Sequence, residues 1–141
     1  MRRRAFLTAT AVFTLLVMLP NSSGADARLL AAGEFRDGDP EHRGSGDLRI
    51  TQMDGGTRLV EMRNMEIVPG PNLLVDLVAE SDPLFPEDVT AKFVSLGKLK
   101  SLAGDHDYAI PEDVNLDDWG SVVVWCVTFK TAFAVATIER S

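Results

Sequence analysis

The sequence has only one cysteine among its 141 residues, so no disulfide can form within the chain. It also lacks H-E-x-x-H, C-x-x-C, G-x-S-x-G and G-x-G-x-x-G motifs. These absences argue against a zinc site of familiar spacing, a nucleophile elbow and a dinucleotide-binding turn. For the one cysteine, Cys126, three roles stay open: an intermolecular bridge, a buried inert thiol or a reactive thiol.

Basic residues are scarce as well, with 14 Lys and Arg against 21 Asp and Glu. Beyond the first 27 residues the counts are 11 and 20, which gives a net charge of −9. A surface this acidic repels phosphate backbones and anionic lipids, so we expect neither nucleic-acid nor membrane-surface binding. The charge suits cationic partners or metal ions, or serves solubility alone.

Residues 1–27 have the pattern of a helical signal peptide. Arginines at positions 2–4 precede an apolar run over 5–19, and residues 25–27 read Ala-Asp-Ala, an A-x-A cleavage pattern. The apolar run is shorter than the roughly 20 residues a membrane-spanning helix needs, which disfavours a retained anchor. We therefore predict export to the periplasm or the extracellular side. The Arg3-Arg4 pair resembles a twin-arginine signal, and an ordinary secretory signal is equally open.

The rest of the chain shows little helical periodicity and many short strand signals. DLRITQM (47–53) and TRLVEMRNM (57–65), joined by Asp-Gly-Gly, predict a hairpin, and SVVVWCVTF (121–129) with AFAVATIER (132–140) predict another. Further strands are expected in 72–80 and 93–99, with a loop over 81–91 and a turn at 103–105. The prediction is an all-β, antiparallel, Greek-key-like β-sandwich over 33–139. Residues 28–32 are predicted as a linker, and 27–34 either extends the signal helix or is disordered.

The register of the last hairpin bears on the cysteine. If residues 130–131 form its turn, Trp125 faces Ala136 on a face where large side chains meet small ones, as in a packed core. Cys126 then lies on the opposite, more polar and less well filled face. A slip of one residue would reverse this assignment. Four aromatic residues are expected in the core: Trp119, Trp125, Phe129 and Phe133.

Four stretches of the chain together match the pattern of a known family: GEFRDGDPEHRGSG (33–46), GPNLLVDLVAE (70–80), LGKLKSLAGDHDYAIPEDVNLDDWGSVVVWC (96–126) and FAVATI (133–138). They resemble the DM13 domain, a small all-β module of bacterial exported proteins that in animals occurs beside cytochrome-bearing membrane domains. The resemblance covers about 33–138. Two departures from the family pattern are Met65 and Asp76, which stand where aromatic residues are usual.

The resemblance implies a part in electron transfer, with Cys126 as a redox thiol or as a thiolate ligand to a metal or haem borne by a partner. No metal site is predicted in the chain, and a cofactor stays unassigned. We expect a redox accessory that acts with a partner protein rather than an enzyme with its own substrate. The alternative is a non-enzymatic envelope or extracellular interaction module whose cysteine only packs. Candidate binding residues are His42, Ser45, His106, Tyr108 and Trp125.

A reactive thiol needs a nearby positive charge, or a helix N-terminus, to lower its pKa. The sequence places only Lys130 close to Cys126. His42 and His106 are the candidate second groups, although each also fits an ordinary polar turn.

Overall fold

The computed structural model describes residues 27–141, and nearly all of its regular structure is antiparallel strand. This confirms the all-β, antiparallel prediction, while the predicted signal peptide lies outside the described residues. The described part of the chain has one short helix, α1, over Pro86–Thr90 and a 3-10 turn over Leu116–Asp118. Its strands are β1 (Arg28–Asp37), β2 (Gly44–Gln52), β3 (Arg58–Ile67), β4 (Leu73–Val78), β5 (Phe93–Lys98), β6 (Ala103–Ile110), β7 (Ser121–Cys126), β8 (Thr131–Thr137) and β9 (Glu139–Arg140).

The strands form one continuous sheet in the order β5-β4-β7-β8-β1-β2-β3-β6, with β9 paired to β1. The sheet curls into a nearly closed barrel, whereas the sequence predicted the two separate sheets of a sandwich. The difference lies in β1, which pairs with β8 on one side and with β2 on the other and so joins β5-β4-β7-β8 to β2-β3-β6 in one sheet. Phe35 pairs with Gly46 of β2 on one side and with Ala136 of β8 on the other.

Residues 28–32, predicted as a linker, form the first half of β1, so neither helix nor disorder describes them. Ala31 is fully buried there and pairs with Ile50. The segment is rich in leucine and alanine, which have little intrinsic preference for strands, and burial against β2 overrides that preference. The turn predicted at 103–105 is likewise the start of β6, and the loop over 81–91 contains α1.

Both predicted hairpins form, but the register predicted for the second was wrong. Cys126 pairs with Thr131 and Trp125 with Ala132, so residues 127–130 make a four-residue turn. A bulge between Val124 and Trp125 shifts the register further. The turn type decides the register of a hairpin, and nothing in the sequence near Lys130 marks a four-residue turn.

As a result, Cys126 belongs to the main core inside the barrel and not to a poorly filled face. Trp125 points outward into a second cluster, which α1 covers through Val89. Trp119, Trp125 and Phe133 are buried as predicted, but Phe129 is 56 % exposed, which corrects its assignment to the core. Among the described residues, no helix has the length and apolar character needed to cross a membrane.

Candidate functional site at one end of the barrel

Cys126 is the last residue of β7, and its side chain is fully buried. The thiol donates a hydrogen bond to the backbone carbonyl of Pro71 at 3.0 Å. The Sγ atom in turn accepts from the backbone N–H of Phe129 at 3.4 Å. Both partners belong to short connecting segments, so the sulfur lies at the end of the barrel where β3–β4 and β7–β8 are joined.

These two segments, Pro71-Asn72 and residues 127–130, form what we call the thiol cover. The N–H of Val127 donates to the carbonyl of Asn72 at 3.1 Å, and the Asn72 side-chain amide donates to the Thr128 hydroxyl at 2.8 Å. Asn72 and Lys130 both adopt left-handed backbone conformations, with φ of 52° and 53°. A non-glycine residue is held there at a cost, so the cover depends on its few hydrogen bonds.

Aromatic rings pack beside the thiol cover. The His42 ring stacks on the buried Phe133 ring with a centroid distance of 4.1 Å, and the exposed Phe129 ring lies 6.5 Å from each. Gly70 lies so close to Phe133 that any Cβ at this position would collide with the ring. Glycine is therefore required where the 70–72 segment passes over the end of the core.

Asp39 organises the polar side of this cluster. Its carboxylate contacts His42 Nδ1 at 2.8 Å and accepts from the Thr131 hydroxyl at 2.8 Å. It also accepts from the backbone amides of Glu41 and His42. Burial acts to raise the pKa of Asp39, but the bonds from His42, Thr131 and the Glu41 amide outweigh it and lower the pKa. Asp39 thus stays ionised and holds His42 against Phe133.

Two of the predicted site residues, His42 and Cys126, therefore lie at the same end of the barrel. Phe129 joins them, since its ring packs near His42 and its amide donates to Sγ. The imidazole makes its polar contact with Asp39, and no hydrogen bond between His42 and Sγ occurs in the described structure. The arrangement places an imidazole near the thiol cover without activating the thiol directly.

The other predicted residues lie elsewhere. His106 and Tyr108 are neighbours on β6, with ring centroids 6.4 Å apart. His106 Nε2 lies 3.2 Å from the carbonyl of Ala103, and its buried Nδ1 has no hydrogen-bond partner among residues 27–141. The Tyr108 hydroxyl accepts from the Lys100 amide at 2.9 Å, while burial raises the pKa of Tyr108. Neither ring hydrogen-bonds to Cys126.

Ser45 is exposed on β2 beside a bulge, and Trp125 faces the outer cluster. Sequence reasoning missed Asp39, Asn72 and Thr131, which tie the cluster together. Only Asp39 had a readable signal, because Asp followed by Pro favours a turn in which the carboxylate accepts nearby amides.

The surroundings of Sγ decide which chemistry fits. The described residues contain no group of three or more His, Cys, Asp or Glu placed to hold a metal ion. The proton and a lone pair of the thiol are already engaged by a carbonyl and an amide. This donor set does not fit a resident metal or haem. It does fit a thiol that the hydrogen-bonded thiol cover shields from solvent, since the side chain is fully buried and both of its hydrogen-bond partners lie in that cover.

Fold and site together define a small antiparallel barrel-like domain with one thiol under a hairpin turn. The family model described as "Electron transfer DM13" matches residues 34–138, and the chain belongs to the DM13 family. No curated protein and no solved structure matches the chain.

Proposed function

We propose that this domain is an electron-transfer accessory in which Cys126 is a redox thiol that exchanges with a partner protein. The observation that carries the proposal is the position of Sγ. Its hydrogen bonds run to Pro71 and Phe129, both in the thiol cover, so a local movement of two short segments would expose it. The electron-transfer description of the family supports the general class.

The proposed step is thiol–disulfide exchange. With the cover open, the Cys126 thiol releases its proton and the thiolate attacks one sulfur of a partner's disulfide. The partner's S–S bond breaks as the mixed S–S bond forms. The departing sulfur leaves with the electron pair and takes up the proton, so Cys126 is oxidised and the partner's second sulfur is reduced.

Oxidised glutathione provides a direct test of this step. We expect folded protein to form a single glutathione adduct that reduced glutathione reverses, as followed by intact mass, with the circular dichroism spectrum unchanged. Asn72→Ala removes the bond to Thr128 and places alanine at a φ of 52°. We expect this substitution to lower the free energy of opening the thiol cover by about 1.4 kcal/mol, which should speed adduct formation about tenfold.

The matched control is Asn115→Ala, which removes the side-chain acceptor of the Asp117 amide at the start of the 3-10 turn. It should leave the rate of adduct formation unchanged. An adduct that forms only in denaturant, or only on chains that have lost the native spectrum, would refute the proposed exchange.

The second candidate function is an interaction module in which Cys126 only packs. It is favoured by the complete burial of the side chain and by its two satisfied hydrogen bonds. Under this reading Cys126→Ala costs about 1–2 kcal/mol of unfolding free energy through the cavity it leaves, and no thiol chemistry is lost because none occurs in the native state.

Export of the chain belongs to the same proposal, with residues 1–27 as a removable signal. N-terminal sequencing of the protein recovered outside the cytoplasm should begin at Arg28. Recovery of full-length protein from the cytoplasm alone would contradict export.

A further inference from the structure

Two large apolar side chains project from the segment that contains α1. Leu84 is 71 % exposed and Phe85 is 63 % exposed, more than any other large apolar residue among those described. Isolated exposed apolar residues are ordinary, but two adjacent ones on an ordered loop are typical of a contact surface.

The loop holds these side chains outward. The Asp88 carboxylate accepts from the backbone amides of Leu84 and Phe85, each at 3.0 Å. Pro86 begins α1, and Val89 anchors the helix in the outer cluster beneath it. Both ends of the loop tip are therefore fixed, and little conformational entropy would be lost on binding.

The apolar pair adjoins the candidate site. Leu84 and Phe85 line a small cleft whose opposite wall includes Asp39 and Thr131. Asp39 is the carboxylate that holds His42, and Thr131 pairs with Cys126 across the hairpin. A partner seated on Leu84 and Phe85 would thus lie beside the thiol cover.

Charge indicates what kind of partner fits. The segment over 80–92 carries four acidic residues and one basic residue, Lys92. Arg36 of β1 pairs with Asp82, so the segment together with Arg36 keeps an excess of two negative charges. Asp39 adds a carboxylate whose pKa is lowered, so it is ionised at neutral pH. An apolar contact with an acidic rim is complementary to an apolar pocket ringed by lysine or arginine.

We infer that Leu84, Phe85 and the acidic residues around them form the docking surface for a partner protein that presents an apolar pocket with a basic rim. This inference rests on the proposed function, since it identifies the surface through which the partner would reach Cys126. Anionic lipid is disfavoured by the same negative charge.

The test uses a synthetic amphipathic peptide of lysine and leucine as the probe and a glutamate-leucine peptide as its charge control. Amide chemical shifts of labelled protein would be followed at low salt. We expect the lysine peptide to shift residues 83–89 and 127–131, and the glutamate peptide to shift none. Leu84→Ser with Phe85→Ser should weaken binding at least tenfold without altering the fold, because both side chains are exposed.

Leu29→Ser is the matched control, since Leu29 is exposed near the start of β1, far along the strand from Asp39. It should leave binding unchanged. The inference is overturned if neither peptide binds, if both bind equally, if binding survives the double substitution, or if phosphatidylglycerol vesicles compete. Repeating the titration with Cys126→Ser separates the two proposals. Cys126→Ser cannot exchange with glutathione but should still bind the lysine peptide. The Leu84→Ser, Phe85→Ser double variant should lose peptide binding but still form the glutathione adduct.

Discussion

Asp76 places a carboxylate in an apolar layer of the sheet. It is fully buried on β4, where it pairs with Val123 and Ser95, and neither carboxylate oxygen completes a hydrogen bond among the described residues. Burial is the larger influence and raises the pKa of Asp76 from 3.8 to about 6, although the nearby Ser95 hydroxyl, which forms no hydrogen bond of good geometry with the carboxylate, acts to lower the pKa. The protonated form is therefore the one that suits the fold.

Because this pKa is higher in the folded chain than in the unfolded chain, the stability associated with protonated Asp76 is complete below pH 3.8 and is lost as the pH rises through about 6. The raised pKa corresponds to about 3 kcal/mol. Asp76→Asn should therefore gain about this much unfolding free energy over the natural protein between pH 4 and pH 8, as measured by urea unfolding.

Glu112→Gln is the control for this measurement, because Glu112 is exposed and its substitution should give a difference that does not change with pH. If the gain in unfolding free energy from Asp76→Asn is the same at pH 4 and pH 8, the pKa of Asp76 is not raised in the folded chain and the prediction is wrong.

At the scale of elements, the β7–β8 turn is the part of the thiol cover that substitution can tune. Lys130 has a φ of 53°, which glycine adopts more easily than other residues. Lys130→Gly should stabilise the turn by about 1 kcal/mol and slow the native-state reaction of Cys126 several-fold. Lys130→Ala, which removes the charge but retains the strain, should not slow it. Equal effects of the two variants would mean that the charge, and not the backbone, controls access.

A second prediction at this scale concerns β1. Residues 28–32 pair with β2 and β9 and bury Ala31. A protein that begins at residue 33 should therefore lose at least about 2 kcal/mol of unfolding free energy relative to one that begins at residue 27, from lost strand pairing and burial. Equal stability of the two proteins, measured by urea unfolding, would restore the view of this segment as a linker.

The sequence predicted most of the strands, because the alternation of apolar and polar residues and the position of turn residues depend on interactions between neighbours in the chain. It failed where the outcome depends on distant partners. The Leu- and Ala-rich start of β1 becomes a strand only because β2 and β9 are available to pair with it. The register at Cys126 depends on a four-residue turn and on a bulge at Val124 and Trp125 that composition does not encode.

At the scale of the whole molecule, the site exists because the barrel brings three distant segments to one end. Residues 39–42, 70–72 and 126–133 are far apart in sequence, and their contacts follow from β1 lying between β2 and β8. Through the family resemblance, the sequence named His42 and Cys126 as candidate residues, and the structure places both at this end of the barrel. The Asp-Pro pair at residues 39 and 40 could have indicated the local turn at Asp39, but the bonds of Asn72 to Thr128 and of Thr131 to Asp39 join distant segments and depend on the closure of the sheet.

The central claim is that Cys126 becomes reachable through a local opening of the thiol cover. Its most direct test is the rate at which a disulfide reagent labels folded protein as urea is raised below the unfolding transition. Because Cys126 is the only cysteine, the signal has one source. A local opening predicts a rate almost independent of urea, which steepens only near the transition. A rate that follows global unfolding at every urea concentration would contradict the claim.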